Sequence, residues 1–106
     1  RIYRNFILTY RQKGKDENYD ISQINNISKG GISFIAVRSF EPGDEVEIDL
    51  KTPYLVDAVR LNGVVLESRE RIANMLYEVR LQFSYLSTEA FDLLNKIENY
   101  SKLEEQ

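Results

Sequence analysis

From residue 77 to residue 83 the chain alternates without a lapse, Tyr77, Val79, Leu81 and Phe83 against Glu78, Arg80 and Gln82. A period of two marks a strand with one face in a core and the other in water. The same period recurs upstream, in Phe6, Leu8 and Tyr10 and again in Val46, Ile48 and Leu50, the latter opposed by Glu45, Glu47 and Asp49. Repeated one-sided strands are the pattern of an antiparallel sheet, which needs only one face covered. At Ser87 the period changes. Ser87 or Thr88 can cap a helix, Glu89 suits the positive end of its dipole, and Ala90, Leu93, Leu94, Ile97 and Tyr100 share one helical face.

Turn signals divide the rest. Gln12 to Asn18 reads as a hairpin loop, Tyr19 to Ile27 as a second strand with Tyr19, Ile21 and Gln23 on one face, and Gly31 to Val37 as a third. Glu41-Pro42-Gly43-Asp44 is a strong turn, since Pro presets φ at its second position and Gly takes positive φ at its third. Thr52-Pro53 ends the fourth strand, Val56 to Glu67 is the fifth with Gly63 marking a bulge or bend, and Arg69 to Asn74 is a charged connection. Six short antiparallel strands leave edges that must be paired or covered, and closure into a barrel does both. The expected architecture is mainly β, a single domain over 1–106. It comprises an N-terminal segment at 1–5, a six-stranded antiparallel barrel over 6–85 and a C-terminal α-helix over 87–102.

Composition narrows the chemistry. A chain of 106 residues, 42% hydrophobic and 29% charged, can bury one modest core. It has no histidine and no cysteine. The usual neutral-pH base, the commonest metal ligand, thiolate chemistry and disulfides are therefore all missing, and no constellation of Lys, Tyr, Ser or carboxylates stands out, so no enzyme is expected. The acidic row Glu45, Glu47 and Asp49 reads as a solvated face, and Phe34, Phe40, Tyr77 and Phe83 as core rather than a stacking platform. A net charge of −3 argues against DNA or RNA as a partner. No apolar run approaches membrane-spanning length and no signal peptide is visible, and the absence of an initiating Met reads as a piece of something longer.

One polar segment is unlike the others. Asn26-Ile27-Ser28-Lys29-Gly30-Gly31 joins two short hydrogen-bonding side chains to a glycine pair and opens at once onto an apolar strand. Glycine admits positive φ and close approach, so the segment can form a recognition elbow as well as an ordinary turn. Lys29 reads as a solvated turn residue. The spacing Asn26-x-Ser28-x-x-Gly31 resembles the second motif of the PilZ family, Asp/Asn-x-Ser-x-x-Gly. That family's first motif, Arg-x-x-x-Arg, precedes the first strand. Arg4 stands where its second arginine belongs, whereas the first would fall one residue before Arg1, so that Arg1 is either a displaced substitute or the inner residue of a motif that has been cut. The Pro-Gly turn, the Asn62-Gly63-Val64-Val65 strand and the strand ending at Phe83 extend the likeness to about Tyr100.

The resemblance implies a PilZ-like split barrel of six strands with a C-terminal helix. It also implies binding of cyclic di-GMP, a bacterial second messenger with two phosphates and two guanines. Arg1 and Arg4 would clamp the ligand from the N-terminal segment, Asn26 and Ser28 would meet it from the barrel, and Gly31 would allow the turn and the close approach. No other cofactor or metal is implied. The setting would be the bacterial cytoplasm, with a protein partner or fused domain receiving the signal and no membrane insertion. The competing reading is a degenerate PilZ adaptor that acts by protein–protein contact without the nucleotide. A single-stranded nucleic-acid barrel of the OB type would need a basic groove with exposed aromatics, which the acidic balance disfavours.

Overall fold

A computed structural model describes residues 5–15 and 18–105, with side chains as far as residue 99. Seven strands form one antiparallel sheet: β1 (Ile7–Gln12), β2 (Asp20–Ser22), β3 (Ile24–Ile27), β4 (Gly31–Ala36), β5 (Glu45–Lys51), β6 (Val59–Ile72) and β7 (Leu76–Tyr85). The helix α1 (Thr88–Glu105) follows. In space the strands run β2-β1-β5-β6-β7-β4-β3. The two outermost, β2 and β3, are consecutive stretches of chain separated only by Gln23, so the sheet curls into a nearly closed barrel of seven strands.

That break corrects the second strand of the sequence reading. Tyr19 to Ile27 is not one strand, because its first half pairs with β1 (Thr9 opposite Ile21) and its second half with β4 (Ile27 opposite Ile32). The register also slips between Ile24 and Asn26, a bulge that turns both Ile24 and Ile27 inward. Ile21, placed by alternation with Tyr19 on one face, is 75% exposed, on the outside of the barrel. Where the β3–β4 ladder ends, the Ser22 hydroxyl donates to the Ile35 carbonyl and ties β2 to β4.

The fifth strand is also longer than expected and starts later, at Val59 rather than Val56. Arg69 to Ile72 continue β6 instead of forming a connection, because their charges find partners across and along the hairpin. Arg69 reaches Glu67 at 3.0 Å and Arg71 pairs with Glu78. The turn itself is a tight one at Asn74 (φ 59°), a residue type that tolerates the left-handed region. Gly63 lies at a register shift against β7, as a bulge glycine should. At the Glu41–Asp44 turn, Gly43 has φ 96° and the Asp44 N–H donates to the Glu41 carbonyl at 3.0 Å.

Inward residues from every long strand fill one core: Leu8, Tyr10, Phe34, Ile48, Leu50, Leu61 and Val79 are all essentially inaccessible. Phe34 and Phe40 lie in it, while Tyr77 and Phe83 pack partly buried against it. Helix α1 is capped by Ser87, whose hydroxyl accepts the Ala90 N–H at 3.1 Å, and it buries Ala90, Leu93, Leu94 and Ile97. Tyr100 falls outside the described side chains.

Candidate functional site

The elbow between β3 and β4 is a two-residue reversal. The Ser28 N–H donates to the Gly31 carbonyl at 2.9 Å, and the Ser28 hydroxyl accepts the Gly30 N–H at 3.3 Å. That local bond uses the hydroxyl as an acceptor and leaves its proton for a ligand. Asn26 is exposed and its Oδ1 accepts the Ile27 N–H at 2.9 Å, a bond that uses the amide oxygen and not the NH2 group. The Gly30 carbonyl accepts the Phe83 N–H at 2.9 Å, fastening the turn to β7.

Neither elbow glycine takes the positive φ that the sequence allowed; among the described residues, the glycines that do are Gly14 and Gly43. Gly31 answers a different need. It sits opposite Gln82, so close to β7 that a Cβ would collide with the Leu81 carbonyl oxygen and lie 3.3 Å from the carbonyl carbon. Gly30 has no such neighbour, with the Ser28 hydroxyl 4.0 Å from where its Cβ would be.

The elbow forms one rim of an open cleft of about 530 Å³ on the outer barrel wall, within the range of small-ligand sites. Its floor is the outward face of β4, β7 and β6. Register places Asn26 opposite Ser33, Ser33 opposite Arg80, and Arg80 opposite Glu67, one row of side chains across four strands. Two charged residues line the cleft, Glu78 and Arg80. Glu78 is pinned by Asn25 Nδ2 at 2.6 Å and by Arg71. Arg80 meets Glu67 at 3.8 Å with its side chain 53% exposed. Arg80 and Gln82 did not emerge from the sequence as candidates, although their place in the alternation already marked them as outward.

Lys29 is more than a solvated turn residue. Its ammonium lies 3.8 Å from Glu98 and 5.8 Å from the centre of the Phe91 ring, so the tip of the elbow touches α1. Arg1 and Arg4, the expected clamp, lie outside the described residues.

The acidic row on β5 proves to be paired across strands rather than merely solvated. Glu47 accepts from Arg11 Nε at 2.8 Å, Asp49 from Arg60 Nε at 2.6 Å, and Glu45 lies 3.6 Å from Lys13. Tyr19 closes the group: its hydroxyl accepts from Arg60 at 2.7 Å and its ring lies 4.8 Å under the Arg11 guanidinium. The Arg11 hydrogen bond, helped by the charge of Arg60, holds the Glu47 carboxyl below the usual carboxylate range despite some desolvation. A carboxylate with a lowered folded pKa adds stability above its unfolded value, about 4.3, and loses that contribution as pH falls through the folded value. Glu47→Gln is therefore expected to reduce stability at pH 7 and to flatten its decline below about pH 4.3. Urea midpoints measured from pH 6 down to acid check this, and parallel curves for the two proteins would contradict it.

A family model described as the PilZ domain matches residues 2–101, a span that includes Arg4, Asn26, Ser28 and Gly31. No curated protein matches the chain.

Proposed function

Because the chain belongs to the PilZ family, whose members are receptor or adaptor modules for cyclic di-GMP signalling, we propose that it is a cyclic di-GMP receptor domain with its site at the elbow cleft. The observation that carries this reading is the position of Asn26 and Ser28. Both motif side chains are exposed at the rim of a cleft of suitable size, each with hydrogen-bonding capacity beyond its local bond. Arg4, with Arg1 beside it, would close over the ligand from the N-terminal segment. A guanidinium forks onto phosphate oxygens or a guanine edge and stacks on a base. Contacts that form only with the ligand present would change the domain's outline as it binds. The messenger is a bacterial cytoplasmic molecule, which would set the location, and a fused domain or partner protein would receive the signal. Among the described residues no helix is long and apolar enough to cross a membrane.

Titration calorimetry of the full chain with cyclic di-GMP tests the proposal. Binding should weaken with added salt, because exposed charged contacts are screened. Ser28→Ala should weaken it about tenfold, the worth of one hydrogen bond to a charged group. Absence of heat with tens of micromolar ligand would favour the adaptor reading. The geometry of Gly31 gives that reading a specific basis, since the β4–β7 contact requires the glycine whether or not a nucleotide binds.

A further inference from the structure

The strongest unassigned feature is the cation on the cleft floor. Resting on the receptor reading above, we infer that Arg80 is a phosphate-binding residue of the cleft, a fixed counterpart on β7 to the arginines of the N-terminal segment. Three observations lead there. Arg80 points outward between buried Val79 and Leu81 and stands in one row with Ser33 and Asn26. Strands in a sheet lie about 4.8 Å apart, so Arg80 and Asn26, two strands from each other, are roughly 10 Å apart at the backbone on the same face of the sheet, with Ser33 between them.

Its present partner is also easily exchanged. Glu67 lies 3.8 Å from Arg80 but 3.0 Å from Arg69, so Glu67 stays paired when Arg80 swings away. The other charge in the cleft, Glu78, is held by Asn25 and Arg71 and does not compete for the guanidinium. Finally, Arg80 and Ser28 both line the same open cleft of about 530 Å³, so the guanidinium and the hydroxyl border one space. A phosphate seated between Arg80 and Ser28 would gain a forked charged contact from one side and a hydroxyl from the other.

Calorimetry with cyclic di-GMP across a salt series, on the full chain and three variants, tests the inference. Arg80→Gln should weaken binding by about tenfold or more and lower its salt dependence, with the thermal midpoint unchanged because the side chain is half exposed. Glu67→Gln, which removes the competing carboxylate, should tighten binding, and that gain should vanish when combined with Arg80→Gln. A merely structural arginine would show neither the change in salt dependence nor the coupled gain. If the parent binds and Arg80→Gln binds equally well with the same salt dependence, the inference is overturned while the receptor reading stands. If the parent itself does not bind, both fall.

Discussion

Gly31→Ala is expected to destabilise the protein by about 3 kcal/mol or more, at the upper end of what overpacking costs. The added methyl would meet the backbone carbonyl of Leu81, not the movable end of a side chain. Relief requires β4 to move away from β7, yet the two are joined along six residue pairs from Gly31–Gln82 to Ala36–Tyr77. The Phe83 N–H bond to the Gly30 carbonyl would be strained with them. Gly30→Ala is the internal control: its Cβ meets only the Ser28 hydroxyl at 4.0 Å, and exposed substitutions of that kind usually stay within about 0.5 kcal/mol. Urea denaturation of both variants separates the cases. Equal midpoints would show that the wall yields more readily than its geometry indicates.

Phe34→Ala should cost about 3–5 kcal/mol. Phe34 is completely buried in β4, opposite Ile24 on β3 and Val79 on β7. Its ring lies 4.9 Å from that of Tyr10, whose hydroxyl accepts the Val37 N–H at 3.2 Å. Truncation leaves a void at the point where the elbow strand, the first strand and the core meet, so the elbow loses the anchor behind it. A domain of this size has about 5–15 kcal/mol in total, so a large drop in melting temperature is expected. Phe91→Ala, on the half-exposed side of α1, should shift it far less. Similar shifts for the two would contradict the packing account.

What was legible in the sequence was whatever depends on neighbours along the chain. Unbroken alternation in β5 and β7, the Pro-Gly turn and the Ser87 cap are local signals, and the structure has each of them where expected. The second strand failed because its division at Gln23 is imposed from outside, by β1 on one flank and β4 on the other. A bulge then moved the inward residues out of simple alternation. The charged run Arg69–Arg71 read as loop because its partners, such as Glu78, become neighbours only once the hairpin forms. The acidic row hid its basic partners on β1 and β6 in the same way. At the site, the motif residues of the elbow were visible from spacing, while Arg80 was not, since only strand register brings it into line with Ser33 and Asn26.

The tight meeting of the elbow strand with its neighbour has a bearing on how such motifs are read. Of the three motif positions on the barrel, the glycine answers to architecture, and a descendant that had lost all use for the nucleotide would still be obliged to keep it. Only the amide and the hydroxyl at the rim are at liberty to drift, and they alone can testify to a ligand.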